Sequence, residues 1–336
     1  MKQQVIKSLV CVKRYSDNPV LTNKDVPYDS TLVFNAGVIK WGNGYAVVFR
    51  NDYGGSIEGF LAGRRFKGTN IGLAFSDDGL HWKVEREPVF NLHDDEILRA
   101  YDPRLTVIDN EVYMTFAVDT KHGLCGGIAH TTDLHHFEVI SISAPDNRNM
   151  VLFPEKINGM YMRLERPMPV YSRGRNDRFD IWISESPDLI YWGKSCLLAA
   201  VEDFPFANDK IGPGAPPIRT DKGWLVFMHA VYRDESRGKN GWEDKWTKIY
   251  YAGVMLLDID DPHKILGICR EPLIAPETIY ETEEGFRTYV VFPTAAILEG
   301  ETVKIYYGAS DTVIALAMAN VNDLINACIV GGPRLM

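Results

Sequence analysis

Short runs in which apolar and polar residues alternate recur along the whole chain, and each is opened by a tight-turn signal. The runs are GNGYAVVFRND (42–52), DNEVYMTFAVD (109–119), NGMYMRLERP (158–167), KGWLVFMHAVY (222–232) and EGETVKIYYGASD (299–311). Ahead of each lies another strand-like stretch: NAGVIKW, DPRLTVI, NMVLFPEKI, GAPPIRT and FPTAAIL. A third element interleaves with these. LAFSDDGLHW (73–82), IAHTTDLHHF (128–137) and IWISESPDLIYW (181–192) each join an apolar strand to a Ser or Thr, then to an Asp four residues before an aromatic. MLLDIDDPHKI (255–265) and LAMANVNDLINA (316–327) read as weaker fourth and fifth copies. Almost nothing has the apolar spacing of a long amphipathic helix.

Five repeats of three or four strands predict an all-β five-bladed β-propeller in preference to a sandwich or barrel. All 336 residues then form a single catalytic domain, with residues 1–19 an N-terminal arm that either closes the last blade or serves as an interface element. In a propeller the inner strands surround a channel, so polar residues at equivalent strand ends converge at one mouth. First strands supply Asn35, Asp102, Arg148 and Asn149. The ends of second strands supply Arg50, Asn51, Asp52, Asp119, Arg163, Arg166, His229 and Asp311.

A single loop aspartate is more often a turn cap than a catalytic acid. Asp78, Asp133 and Asp188 read as caps, because they repeat with the turn itself. Asp102 does not repeat in the other blades, and Arg104 lies two residues on, on the same face of its strand. Arg148, Arg166, Lys210 and His229 are read as coming from three separate blade units; if they meet, they form an anion site suited to phosphate, with arginine supplying bidentate geometry and lysine a point charge. The glycine-rich segment 51–70 lacks the strand-turn-helix context of a nucleotide loop and reads as a long loop over the mouth, from which Arg64 and Arg65 reach a substrate. The insertion at 236–253 is read as part of the same rim.

Composition narrows the class. A net charge of −9 argues against a nucleic-acid partner, and no apolar run reaches the roughly 18 residues of a membrane span. Five widely spaced cysteines suggest reduced thiols rather than a disulfide framework or metal site, and the interrupted apolar stretch at the N-terminus is no secretory signal. A cytoplasmic protein without membrane contact is expected.

The segments FNAGV, VFRNDYG, TNIGLAFSDDGLHW, RAYDPRLTVID, PDNRNMVLFPE, RLERPMPVYSRG, FANDKIGPGAPPI, RGKNGWEDKW and YYGASDTV resemble the mannoside phosphorylases of glycoside hydrolase family 130, most nearly the branch acting on 4-O-β-D-mannosyl-D-glucose. The likeness runs from about Asn18 to Asp323. It implies the same five-bladed fold, with Asp102 as general acid and Arg148, Arg166, Lys210, His229 and Tyr250 as the phosphate site. By the same likeness Asn35, Arg50 and Asp311 hold the mannosyl unit. Asp52 joins the substrate-binding set, Tyr101 shapes the pocket, and Arg64 and Arg65 are assigned to the leaving sugar.

An inverting hydrolase uses two carboxylates, one to protonate the leaving oxygen and one to activate water. A phosphorylase replaces the second with anionic phosphate, so one acid and a cation cluster suffice. The resemblance therefore implies phosphorolysis of 4-O-β-mannosyl-glucose to α-mannose 1-phosphate and glucose, with phosphate a co-substrate, no cofactor or metal, and a homo-oligomeric enzyme. It also implies that the proton passes through a hydroxyl of the bound mannose. β-1,4-Manno-oligosaccharides or mannosyl-N-acetylglucosamine are alternative substrates. A hydrolase would recruit Asp52, Asp119 or Asp311 as its second carboxylate, and a non-catalytic glycan-binding propeller is a third class. Arg104 and the nearby cations should push the acidity of Asp102 the wrong way for a proton donor, an effect that bound phosphate dianion offsets.

Overall fold

The computed structural model describes residues 6–168, 179–234, 236 and 248–334. Five antiparallel sheets stand around a central axis as a β-propeller. Blade 1 comprises strands Leu32–Trp41, Gly44–Tyr53, Gly68–Ser76 and Lys83–Val84; blade 2 comprises Ile97–Ile108, Glu111–Thr120, Gly123–Thr131 and Glu138–Ile142. Blade 3 is built from Asn147–Leu152, Tyr161–Pro167, Ile181–Ser186 and Gly193–Ala199. In blade 4 the inner strand is split into Lys210–Pro213 and Ile218–Thr220, since Pro216 and Pro217 between them carry no N–H for the ladder; Gly223–Arg233, Lys248–Leu257 and Ile265–Ile268 complete it.

Blade 5 contains Val291–Glu299, Thr302–Ala309 and Val313–Asn320, and its fourth strand is Lys13–Arg14, paired with Met318 and Ala317. The N-terminal arm thus closes the ring, one of the two roles expected of it. Arg14 anchors the closure: its guanidinium donates to both oxygens of the fully buried Glu281, at 2.8 and 2.9 Å, and to Glu277 at 2.8 Å. The expected fifth turn copy is instead the start of a helix, Val321–Gly331, capped by Asn320, whose Leu324, Ile325 and Cys328 pack against blades 4 and 5.

The repeated Ser/Thr and Asp residues cap turns, as their periodicity predicts. Asp78 Oδ1 accepts from the amides of Leu80 and His81, Asp133 Oδ1 from those of His135 and His136, and Asp188 Oδ1 from those of Ile190 and Tyr191. Alternation along each strand sends apolar side chains to both faces, because each blade is covered by two neighbours. The cores therefore lie between blades: Val48 and Leu73 of blade 1 share a cluster with Leu105 and Met114 of blade 2, and Leu164 and Ile183 of blade 3 share one with Trp224 and Met228 of blade 4.

Candidate functional site

The first strands of blades 1, 2 and 3 each carry a bulge, where two residues face one on the partner strand, and the first of the two has a left-handed backbone: Asn35 (φ 50°), Asp102 (φ 56°) and Asn149 (φ 58°). Asn and Asp tolerate this conformation better than other non-glycine residues, and a bulge re-aims the side chain. Asp102 does repeat, then: it is the ionisable member of a recurring Asx position whose other members are amides. All three side chains line one cavity of about 330 Å³ at the mouth of the channel.

Asp102 presents its two oxygens differently. Oδ1 accepts from Asn35 Nδ2 at 3.0 Å and from Arg50 Nη1 at 3.2 Å, while Oδ2 receives no hydrogen bond from any described residue. Burial pushes its pKa up, but Arg50, then Arg104, the Asn35 hydrogen bond and Arg148 outweigh burial and hold it below the usual value. Arg104, two residues on, makes no ion pair with this carboxylate. Its guanidinium turns to main-chain carbonyls, Gly214 at 2.8 Å, Pro103 at 2.9 Å and Asp102 at 3.1 Å, and so ties blade 2 to blade 4.

Arg148, Arg166, Lys210, His229 and Tyr250 all line the same cavity, and they come from two blades, 3 and 4, rather than three, because Arg148 and Arg166 pair on adjacent strands of one sheet. Nε of Arg148 and Nε of Arg166 are buried without a hydrogen-bond partner, and among the described residues neither guanidinium pairs with a carboxylate. Burial and the neighbouring Arg148 lower Arg166 to about 9, so it still carries its charge at neutral pH. Lys210 is pushed well below its ordinary value by burial and by Arg166, Lys248 and Arg148. Uncompensated buried charge of one sign is costly, and an anion in the cavity would relieve it.

His229 is not one of the cations. Its Nδ1 lies 3.2 Å from the Pro213 carbonyl and its Nε2 3.1 Å from Arg166 Nη1; since the guanidinium can only donate, Nε2 accepts and Nδ1 carries the proton. Burial and the surrounding Arg166 and Lys210 hold the ring neutral, well below the ordinary histidine range. It orients Arg166 and is itself stacked on Phe292, with ring centres 4.2 Å apart.

Of the sugar-binding set, Asn35, Arg50, Tyr101 and Asp311 line the cavity; Asp52, Arg64 and Arg65 do not. Asp52 is buried behind Arg50, accepting from its Nε at 3.0 Å and Nη2 at 2.7 Å and from the Thr69 hydroxyl at 2.6 Å. Arg64 and Arg65 are exposed, while Phe60 and Phe66 of this loop, which includes the short helix Ile57–Leu61, pack against Phe286, with ring centres 5.0 and 5.9 Å away. The loop therefore meets the cavity through Phe286 rather than through its arginines. Most of the second rim insertion, 237–247, lies outside the described residues.

Of the three candidates for a second catalytic carboxylate, Asp52 is held by Arg50. Asp119 accepts from Arg99 Nε at 2.6 Å and Tyr101 hydroxyl at 2.7 Å, and Asp311 from Arg287 Nη1 at 3.2 Å. Burial raises the pKa of Asp311 despite Arg287 and Arg50.

A family model for glycoside hydrolase family 130, described as β-1,4-mannooligosaccharide phosphorylase, matches residues 6–329. The chain belongs to glycoside hydrolase family 130. It is 30% identical over 326 residues to a β-1,4-mannooligosaccharide phosphorylase of Ruminococcus albus, covering 93% of this chain and 89% of that one. It is 25% identical over 331 residues to a 4-O-β-D-mannosyl-D-glucose phosphorylase of Bacteroides fragilis, covering 93% and 78%. A solved β-1,2-mannobiose phosphorylase from Listeria innocua, in complex with β-1,2-mannobiose, superposes with a TM-score of 0.81 at 27% identity, covering 95% of this chain and 99% of the other. The family assignment makes the protein an enzyme of the glycosyltransferase, phosphorylase type.

Several cavity residues of this family 130 enzyme escape the strand-end argument. Asn149 is not one of them, since it is collected at a strand entry, though only the shared bulge reveals that it is equivalent to Asp102. Arg99, Lys248, Phe286 and Arg287 also line the cavity. Arg99 stands directly opposite Asp119 in the blade 2 ladder, a signal present in the register but not in either residue alone.

Proposed function

We propose that this enzyme carries out inverting phosphorolysis of a β-1,4-linked mannoside, releasing α-D-mannose 1-phosphate and the acceptor sugar. The observation that carries the reading is the pairing of one acid, Asp102, with buried guanidiniums that have no carboxylate partner. Asp102 Oδ2 is free to face a sugar hydroxyl, and Arg148, Arg166 and Lys210 supply the charge that an incoming phosphate requires.

Phosphate oxygen attacks the anomeric carbon from the face opposite the acceptor, forming the C1–O–P linkage as the glycosidic C1–O bond breaks. The electron pair of that bond leaves on the acceptor oxygen, which receives the Asp102 proton directly or by way of a mannosyl hydroxyl. With hydrogen phosphate as nucleophile, its remaining proton restores Asp102, so the turnover consumes no net acid. Bound phosphate also raises the pKa of Asp102 by placing negative charge beside it, which offsets Arg50 and Arg148.

The wider class of β-1,4-mannosides rests on the family model and the Ruminococcus relative. 4-O-β-D-Mannosyl-D-glucose, to which the sequence motifs point, is one member of it, and the relative named for that substrate is the more distant at 25% identity. Running the reaction in reverse tests linkage and acceptor together. α-Mannose 1-phosphate supplied with mannose, glucose or N-acetylglucosamine should yield a β-1,4-linked disaccharide and inorganic phosphate; a β-1,2-linked product, or none, contradicts the assignment. A cytoplasmic location belongs to the same proposal, supported by five free cysteines. So does a homo-oligomer, supported by the exposed Val10, Ile329 and Val330 near the chain ends and tested by light scattering.

A further inference from the structure

Arg50 lies between two carboxylates. Its Nε and Nη2, one edge of the guanidinium fork, are taken by both oxygens of Asp52, leaving Nη1 for a single 3.2 Å contact with Asp102. The plane of the guanidinium is fixed as well: it sits over the ring of Phe34 at 4.4 Å and that of Tyr101 at 4.9 Å. Asp52 is pinned in turn by Thr69. A guanidinium released from Asp52 could offer Asp102 a two-bond, bidentate contact, the arrangement that most strongly stabilises an ionised carboxylate.

We propose that Asp52 is a positioning residue that restricts Arg50 to one hydrogen bond with Asp102, so that Asp102 is oriented by the arginine yet remains able to hold and donate a proton. The inference rests on the acid role of Asp102 in the reading above. The groups facing Asp102 are Arg50 from blade 1, Tyr101 and Arg104 from its own strand, Arg148 from blade 3, Asp311 from blade 5, and the neutral Asn35. Asp52 is hydrogen-bonded through both oxygens to the cation it shares with Asp102. Removing the Asp52 charge leaves Arg50 more strongly positive toward Asp102, so the acid ionises more readily.

Asp52→Asn tests this, with Thr69→Val as a milder variant that keeps the shape and removes only the hydroxyl. Expected is a displacement of the alkaline limb of the kcat/KM profile to lower pH by about one unit, hence roughly a ten-fold loss above the limb. Thr69→Val should move the limb the same way by less. The KM for phosphate should hold. Carbon-detected NMR titration of the Asp102 carboxyl in both proteins reads the same displacement without turnover, so a wild-type protein inactive on every mannoside would count against the functional reading alone. An alkaline limb and a carboxyl midpoint that stay in place, or move to higher pH, overturn the proposal, and they do so even if activity falls, since that is what a merely structural role would give.

Discussion

Arg166 and His229 reach across from neighbouring blades to share a 3.1 Å hydrogen bond, with both side chains buried. The bond works only if the imidazole is neutral, because a protonated ring has no acceptor to offer. His229→Ala would leave a buried guanidinium donor unpaired at a cost of about 1–3 kcal/mol, or about 5- to 150-fold in equilibrium. We expect the KM for phosphate to rise by that order while the KM for the mannoside changes less. Steady-state kinetics with each substrate varied in turn check this.

The same histidine ties stability to pH. In the fold it titrates well below its ordinary value, so as pH falls the unfolded chain takes up the proton first. Its contribution to stability is present above about pH 6.5 and is lost as the pH drops below it. Thermal unfolding should therefore occur at a lower temperature at pH 5.5 than at pH 7.5, and the difference should shrink in His229→Gln.

Asp102→Asn keeps the size of the side chain, and the neighbouring bulges already hold asparagine in the same backbone conformation. Folding should be intact. Turnover should fall by about 10²–10⁴-fold, the usual range for loss of a general acid, with phosphate binding retained. Calorimetric titration with phosphate separates the two effects.

Gly212 lies against the phosphate site. A methyl group there would come within 2.4 Å of His229 Cε1 and 3.1 Å of Arg166 Cδ, so Gly212→Ala must displace one or both. Weakened phosphate affinity is expected, measured as a smaller rise of the unfolding temperature with added phosphate than in the wild type, where saturation at 100 times Kd stabilises by about 2.7 kcal/mol.

Arg14→Ala probes the closure of the ring rather than the chemistry. It strips the buried Glu281 of its cation, leaving Tyr307 and two backbone amides as its donors. Breaking a buried pair in this way costs about 3–5 kcal/mol. Denaturant unfolding should show the loss, with kcat at 25 °C nearly unchanged, since neither residue lines the cavity.

The propeller is legible in the chain because its turns are chemical as well as geometric: Ser/Thr, Asp and an aromatic recur after the third strands of blades 1, 2 and 3, and the hydrogen bonds of Asp78, Asp133 and Asp188 are local. Closure by Lys13–Arg14 is not legible, since two residues carry no periodicity and their partners lie some 300 positions away. At the site, residues on inner-strand entries could be collected by position, and Arg148, Arg166, Lys210 and His229 do meet. Asp52 misleads for a simple reason. Period-two alternation puts it on the same face as Arg50, and only packing shows that Arg50 covers it. Arg64 and Arg65 mislead because their loop has an aromatic side, Phe60 and Phe66, that decides which way it turns.

Phosphate as the attacking group is the centre of this account, and incubation of the enzyme with β-1,4-mannobiose and with 4-O-β-mannosyl-glucose, each with and without inorganic phosphate, tests it most directly. The account predicts release of acceptor sugar and α-mannose 1-phosphate in equal amounts from at least one of them, only when phosphate is present. Free mannose formed at the same rate without phosphate would contradict it.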